Sequence, residues 1–289
     1  MKTICIETKD PTGHINIYKD IFSNFSKNSN LTFVATEEYL TNFYDVSGVE
    51  KIISGNAKKA KGKVTYRIEQ IYLIIKALII CKREKADKIV FLSYDTVALF
   101  LSLLFFKKNN VFVFEHNNID QCLSSSVKAW TYKLLSKKVT SYVFEDYIGH
   151  FITKNYNRKF VHYFHPLFKI QSHGKVNTIG NYIFMPSTFV CEHDFSKVFE
   201  FAQKNQLKIV CKNHDFLKHF CNQKIISNDF FDDYNDLFLN AKFIAILNDF
   251  SYRISGVYYE AVANNKNILI KDTIMSRKME KREVELYYL

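Results

Sequence analysis

The stretch Tyr252-Arg-Ile-Ser-Gly-Val-Tyr-Tyr-Glu-Ala-Val-Ala-Asn-Asn-Lys-Asn-Ile-Leu-Ile-Lys271 decides how the rest of the chain is read. Ser255 and Gly256 are small residues suited to a loop, and Val257 to Ala263 keeps helical spacing. Asn264-Asn265 breaks that spacing, and Ile268-Leu269-Ile270 is an apolar run. The order predicts loop, helix, turn and buried parallel strand. A Ser-Gly pair at a helix mouth leaves backbone N–H groups free to meet an anion, and the helix dipole favours negative charge there. Glu260 follows one turn later, about 6 Å along the axis at ~1.5 Å per residue. A carboxylate so placed can accept hydrogen bonds from the vicinal hydroxyls of a sugar while the amides hold phosphates. Phosphate and ribose together point to a nucleotide. A surface helix with a good N-terminus and a solvated Glu260 fits the same letters.

Working outward, 289 residues suffice for two domains of ordinary size, and 47% hydrophobic residues exclude wholesale disorder. Only 8 Gly and 3 Pro predict regular structure with short connections. The 27 Phe and 18 Tyr, with many Ile, Asn and Lys, read as compositional bias, so a single aromatic carries little functional weight. Cys5, Cys81, Cys122, Cys191, Cys211 and Cys221 form no CxxC pair, and Met1 to Ile6 runs straight into acidic and polar residues, so no signal peptide is expected. A reduced cytoplasmic protein is expected. Cys211, His214, His219 and Cys221 match no zinc-finger spacing, so no metal is expected. Residues 1–175 carry 26 Lys+Arg against 15 Asp+Glu, whereas residues 176–289 carry 14 of each, so the whole excess of +11 sits in the first part. A basic half suits an anionic partner such as a membrane surface, a nucleic acid or a phosphorylated substrate, and a uniformly solvated lysine-rich surface suits it equally.

In chain order, Thr3 to Glu7 is a strand, Thr8 to His14 a loop and Ile15 to Phe25 a helix, the opening of a nucleotide-type βαβ fold. Gly13 shapes the loop, and His14 falls at the carboxyl edge of the sheet, where it either serves as a general base or neighbours a helix cap. Strands follow at 31–35, 49–53, 88–92 and 111–114, with the basic polar loop Gly55 to Lys63 between the second and third. Apolar helices span 68–82 and 96–106. Neither expected helix reaches the ~20 residues that cross a bilayer, and both have the length of a buried helix on a parallel sheet. One of them facing lipid beside Lys82-Arg83 or Lys107-Lys108 is the minor alternative. Glu115-His-Asn-Asn118 follows a strand and is either material for a polyhydroxylated ligand or an ordinary polar turn. After a helix at 126–135, a strand at 141–145 and a helix at 146–154, the polar stretch 171–180 reads as a linker. It separates a domain at 1–170 from one at 176–289. The second domain has strands at 182–185, 208–211 and 243–247, helices at 195–203 and 232–241, and a charged C-terminal helix from Met275 to Leu289.

With these elements in place, Asp232 to Leu247 and Tyr252 to Ile270 resemble the helix, strand and SG-x-x-x-EA-x-A donor signature of GT-B glycosyltransferases, in particular the family 4-like enzymes of bacterial polysaccharide assembly. The resemblance implies an α/β protein of two Rossmann-like domains facing across a cleft. It implies that Glu260 binds the donor ribose, that Ser255, Gly256 and Val257 meet the diphosphate, and that Arg253 and Lys212 supply cations, with Lys197 a further approximate match. It assigns the loop with Gly13 and His14 to the acceptor side, and His116 with Glu115 and Asn117 to the polar cluster facing the sugar. Departures are visible: Tyr252 stands where the family carries a second Glu, and Asn264 or Asn265 where it carries a Gly. The implied activity is a metal-independent transfer from a nucleotide diphosphate sugar, with no other cofactor, to a glycan or polyprenyl-diphosphate-linked acceptor. His14 or His116 would act as base, on a protein peripheral to an anionic inner membrane face. A nucleotide-sugar 2-epimerase and a non-catalytic partner subunit share these features. A nucleic-acid-binding module would use the basic half but shows no recognisable motif, so no nucleic-acid partner is expected.

Overall fold

The computed structural model describes residues 1–55, 62–106, 110–171, 180–187, 190–220, 224–279 and 284–289. The chain divides into two units, Met1–Pro166 and Leu167–Leu289. The expected linker centre, 172–179, lies outside the described residues, as do most of the basic loop (56–61), Lys107, Lys108 and Cys221.

In the first unit the order is β1 (Lys2–Ile6), α1 (Ile15–Ser26), β2 (Asn30–Thr36), α2 (Glu37–Leu40), β3 (Val49–Gly55), α3 (Lys63–Arg83) and β4 (Lys88–Phe91). There follow α4 (Thr96–Leu104), β5 (Val111–Phe114), α5 (Asn118–Leu123), α6 (Ser126–Leu135), β6 (Val139–Val143), α7 (Asp146–Tyr156) and β7 (Phe160–His162). The strands form one parallel sheet ordered β3-β2-β1-β4-β5-β6-β7. Right-handed crossovers therefore place α1 on one face and α3, α4, α6 and α7 on the other. Under α1, the rings of Phe22, Phe33 and Phe43 pack with centroids 4.7–5.6 Å apart. On the opposite face Ile74, Leu78 and Cys81 of α3 and Leu99 and Leu103 of α4 close over Ile4, Ile89 and Val111. Strands buried on both faces need continuous apolar runs, and Val111-Phe-Val-Phe114 is one.

The second unit runs β8 (Tyr182–Met185), α8 (Glu192–Lys204), β9 (Lys208–Lys212), β10 (Ile225–Asn228) and α9 (Tyr234–Asn240). It continues through β11 (Phe243–Ile246), α10 (Gly256–Ala263), β12 (Asn267–Ile270), α11 (Ile274–Met279) and β13 (Leu286–Tyr288). Its parallel sheet is ordered β10-β9-β8-β11-β12-β13. Each unit thus reverses winding direction once, between β1 and β4 in the first and between β8 and β11 in the second. Ligands of doubly wound sheets bind outside the strand ends at such a point.

Several boundaries differ from expectation. α3 begins at Lys63 and spans 21 residues, because nothing after Gly62 breaks the helix. Charges at Arg67, Glu69, Lys76 and Lys82 interrupt it, and among the described residues no helix is long and apolar enough to cross a membrane. β6 starts at Val139, two residues early, since Val139 and Thr140 are both β-branched. The expected C-terminal helix is corrected: α11 ends at Met279, and Leu286-Tyr-Tyr288 pairs with the free edge of β12. Sheet pairing overrides the helical charge pattern there. β10 was not expected either, being a four-residue edge strand of mixed burial. The five described cysteines are free thiols, and among the described residues no group of three His, Cys, Asp or Glu side chains could hold a metal.

Candidate functional site

At the switch point of the first unit, one buried carboxylate organises the loop after β1. Glu7 has no solvent exposure. It accepts from the amides of Thr8 (2.7 Å) and Lys9 (2.6 Å), from the Tyr18 hydroxyl (2.7 Å) and from the Ser93 hydroxyl at the end of β4. Gln70 of α3 holds the same loop by donating to the Thr8 carbonyl (2.6 Å) and accepting from the Thr8 hydroxyl (2.8 Å). Lys9 donates to the Tyr94 carbonyl (2.6 Å), and burial pushes its pKa down. The loop is tied down at its base, so its far end, Asp10 to His14, is presented in a fixed place.

His14 and His116 meet there. Their rings stack with centroids 4.3 Å apart, and Nδ1 of His14 lies 3.3 Å from the Tyr18 hydroxyl. Nε2 of His116 is 2.9 Å from the Leu92 carbonyl, an acceptor only, so that nitrogen carries the proton and Nδ1 holds the lone pair. Burial, with His14 stacked beside it, holds the His116 pKa well below its ordinary value. Such a ring stays neutral and takes a proton poorly. Half-exposed His14 is the better-placed base of the two. Gly13 is exposed, with open space around it.

The Glu115-His-Asn-Asn118 segment splits between two roles. His116 and Asn117 are half-buried at the edge, whereas Glu115 and Asn118 are 1% and 2% exposed. Glu115, expected among the acceptor ligands, is instead committed inside the fold. It accepts from Tyr94 (3.0 Å), Tyr132 (2.9 Å) and Ser141 (2.6 Å) and faces Arg158 at 3.4 Å. Asn118 donates to the Tyr94 carbonyl (3.0 Å).

Asp10 was not singled out from sequence. It adopts φ 51° and accepts from Thr36 (2.6 Å) through one oxygen, while its other oxygen is buried without a hydrogen bond. Burial pushes its pKa up to about 6, against an ordinary 3.8. The folded state therefore favours the protonated carboxyl, and the stability this gives is lost as pH rises from about 4 through about 6. Asp10→Asn removes that loss. Its stability advantage over wild type is expected to be near zero at pH 4 and on the order of 1 kcal/mol at pH 8, after discounting for solvent. Thermal melts at pH 4, 6 and 8 check it, and a gap constant across pH would contradict it.

In the second unit Ser255 caps α10, its hydroxyl accepting from the Tyr258 amide at 3.3 Å, and it is 5% exposed. Its side chain belongs to the helix, and the groups it leaves open are the backbone amides of Gly256 and Val257. Gly256 is exposed, and a Cβ there would meet nothing within 4 Å. One turn on, the Glu260 carboxylate accepts from the Tyr234 hydroxyl at 2.8 Å. Burial pushes the Glu260 pKa up while that hydrogen bond pulls it down, and the net shift is upward. Tyr234, on α9, is fixed against Phe184 and Phe238. Nothing marks it in the sequence, where it is one Tyr of 18. Asn265, one of the two positions where the family motif carries a glycine, adopts φ 51°, a left-handed conformation that glycine takes readily. Asn264 donates to the Glu260 carbonyl (2.8 Å) and accepts from the Ile170 amide (3.2 Å).

The two expected cations are placed differently. The Lys212 ammonium donates to the Asp229 carbonyl (2.7 Å) and lies 5.1 Å from the Phe230 ring, at the end of β9. The Arg253 guanidinium stacks 4.5 Å from Phe250, in the loop before α10 that also holds Tyr252. At the switch point itself Asn248 donates to the Ser187 hydroxyl (3.0 Å). The structure therefore brings Gly256, Val257 and Glu260 together on one helix turn, and His14 with His116 on the first unit's edge.

No protein-family model matches the chain, and no curated protein matches it. Solved structures do. A crystal structure of HepE from Anabaena in complex with UDP-glucose matches over 100% of this chain and 85% of its own, with TM-score 0.70 and 11% identity. A glycosyltransferase from Rickettsia africae matches over 100% and 83%, with TM-score 0.66 and 10% identity. The UDP-GlcNAc 2-epimerase of Methanocaldococcus jannaschii matches over 100% and 89%, with TM-score 0.60 and 16% identity. At such identities the likeness is one of fold, and the fold is two parallel-sheet α/β units of the GT-B kind.

Proposed function

We propose that the chain is a glycosyltransferase that moves a sugar from a nucleotide diphosphate sugar to a hydroxyl of a glycan. One observation carries the reading: a capped helix end with two open amides has a half-buried carboxylate one turn along it, held by Tyr234. That geometry suits a diphosphate followed by a ribose. The fold likeness to a structure holding UDP-glucose supports it. In the reaction the bond from the anomeric carbon to the diphosphate oxygen breaks as the acceptor oxygen bonds to that carbon. His14 takes the acceptor proton, with His116 stacked against it as a neutral positioning group. The leaving diphosphate takes the electron pair and is stabilised by the amides of Gly256 and Val257, with Arg253 and Lys212 as the cations to be recruited, without a metal. The acceptor class is a glycan of bacterial surface polysaccharide synthesis, polyprenyl-diphosphate-linked, and the protein works peripherally on an anionic inner membrane face.

The test is a thermal-shift screen with UDP-, GDP-, CMP- and dTDP-sugars. One nucleotide class is expected to raise Tm, and none doing so would sink the reading. Gly256→Ala sharpens it. The new methyl meets no protein atom within 4 Å, and alanine favours a helix over glycine by roughly 0.5–1 kcal/mol, so stability is expected to hold or rise. Nucleotide affinity is nonetheless expected to fall about 10-fold, because the methyl occupies the diphosphate's approach. A variant that binds like wild type moves the phosphates elsewhere. The epimerase reading has its own outcome: incubation with UDP-GlcNAc and no acceptor would yield the C2 epimer by NMR, whereas a transferase leaves the sugar nucleotide largely intact.

A further inference from the structure

The outer side of the first unit's helix layer is apolar where a solvated surface would be polar. On α3, Ile68, Tyr72 and Ile79 are exposed with half-buried Ile75 between them. The spacing i, i+4, i+7, i+11 makes a stripe about 16 Å long at ~1.5 Å per residue. α4 packs between α3 and α6 and exposes Leu101, Leu104 and Phe105, the last by 79%. α6 adds Val127 and Trp130, the latter 61% exposed and 6.2 Å from the ring of Phe100 on α4. Three adjacent helices thus turn one apolar face outward, while their inner faces hold the core. Contiguous exposed apolar surface of this kind marks an interaction site.

The chemistry of the partner is written at one end of that face. Crossover helices run antiparallel to their strands, so α3, α4, α6 and α7 all end at the sheet edge opposite the one carrying Glu7 and His14. Exposed Lys82 lies at the end of α3, and Lys133, Lys137 and Lys138 lie at the end of α6. Arg83 and Lys2 are paired with Glu84, at 3.1 and 2.8 Å. Between the ends of α6 and α7 opens a cavity of about 490 Å³ lined by Lys137, Lys138, Lys159 and Arg158, with Thr140 and Thr153, and by no acidic residue. The Lys138 ammonium donates to the Leu103 carbonyl (3.0 Å), which joins the cavity to the end of α4 beside Leu104 and Phe105. Apolar face and cationic cavity are therefore continuous. Lysine is depleted at protein–protein contacts, whereas Trp, Ile and Phe flanked by lysines suit the boundary of an anionic bilayer.

We propose that this face docks on an anionic phospholipid bilayer, with the α3–α4–α6 side chains at the acyl–headgroup boundary and a lipid phosphate in the cavity lined by Lys137, Lys138 and Lys159. The proposal rests on the membrane part of the function proposed above and names the surface that serves it. It does not depend on the transfer chemistry.

Trp130 is the only tryptophan of the chain, so its emission reports on this face alone. The full chain is mixed at low salt with vesicles of phosphatidylcholine, with and without phosphatidylglycerol. Expected are co-sedimentation and a blue shift of Trp130 emission with the anionic vesicles, both reduced by salt. Phe105→Ser is expected to weaken binding with unchanged circular dichroism. Lys137→Gln with Lys159→Gln should weaken it roughly 30-fold, at about 5-fold per lysine. No binding to anionic vesicles, equal binding to neutral ones, or a double variant that binds like wild type overturns the proposal. So does competition by free glycerol phosphate at millimolar concentration, which would make the cavity a soluble-anion site. A concentration-dependent dimer that Phe105→Ser abolishes, without vesicle binding, would assign the face to a second copy. Nucleotide-sugar thermal shifts measured on the same variants keep the two readings apart: a chain that binds vesicles but no nucleotide sugar sinks the transfer reading and leaves this one standing.

Discussion

Replacing Arg158 by methionine is expected to cost the first unit about 3–5 kcal/mol of folding free energy. Arg158 is fully buried, its guanidinium 4.1 Å from the Tyr132 ring and 3.4 Å from Glu115. Burial pushes its pKa down, but Tyr132, Tyr94 and Glu115 push it up further, so the guanidinium stays charged. Methionine fills the space and keeps contact with the ring. It leaves the Glu115 carboxylate in the interior with hydroxyl donors from Tyr94, Tyr132 and Ser141 and no counter-charge. An uncompensated buried charge is the expensive outcome, whereas removing both charges is often nearly neutral. The double variant Arg158→Met, Glu115→Gln is accordingly expected to recover more than about half of the loss. Urea unfolding followed by far-UV circular dichroism reads both. A single variant with the midpoint of wild type would mean that the pair contributes nothing to the fold.

Glu260→Ala is expected to weaken nucleotide binding by about 10- to 150-fold, the worth of one hydrogen bond to a charged acceptor at ~1.5–3 kcal/mol. One carboxylate oxygen accepts from the Tyr234 hydroxyl, so Tyr234→Phe, which only loosens the carboxylate, is expected to cost about 3- to 10-fold. The pH dependence separates ligand contact from general disruption. Protonation removes the acceptor, and burial raises the carboxyl pKa above its ordinary 4.5, so wild-type affinity should fall as pH drops through that raised value. Glu260→Gln should show a flat profile over the same range. Isothermal titration with the nucleotide selected by the thermal screen measures all three variants, and an alanine variant with wild-type affinity would remove Glu260 from the ribose.

Much of this architecture was legible because the strands are buried on both faces and the chain spells them as unbroken apolar runs. Ile268-Leu-Ile270 and Val111-Phe-Val-Phe114 need no context to be read. β13 and β10 were not legible, since Leu286-Tyr-Tyr288 and Ile225 to Asn228 become strands only when a neighbouring edge is there to pair with. In the second unit, the placing of Gly256, Val257 and Glu260 on one helix turn was legible because helical spacing sets it, whereas their proposed roles came from the motif they resemble. The pairing of Tyr234 with Glu260 and the stacking of His14 on His116 join residues 26 and 102 positions apart, and no local pattern encodes such distances. Glu115 shows the opposite hazard. A polar residue after an apolar strand reads as a ligand contact, and only the positions of Arg158, Tyr132 and Ser141 turn it inward. Asn265, one of the two positions where the motif carries a glycine, adopts a positive φ that asparagine tolerates as glycine does.

Glu7 separates two tasks that loops usually combine. Its carboxylate fixes the start of the 8–14 loop through main-chain amides, Tyr18 and Ser93, and none of these contacts uses the side chains of residues 11, 13 or 14. The position of the loop is therefore inherited from the framework, and its outward letters are left to vary. A lineage that keeps Glu7, Tyr18, Ser93 and His14 can exchange Pro11 and Gly13 for other residues without rebuilding the scaffold, so recognition at this rim can diversify by single substitutions.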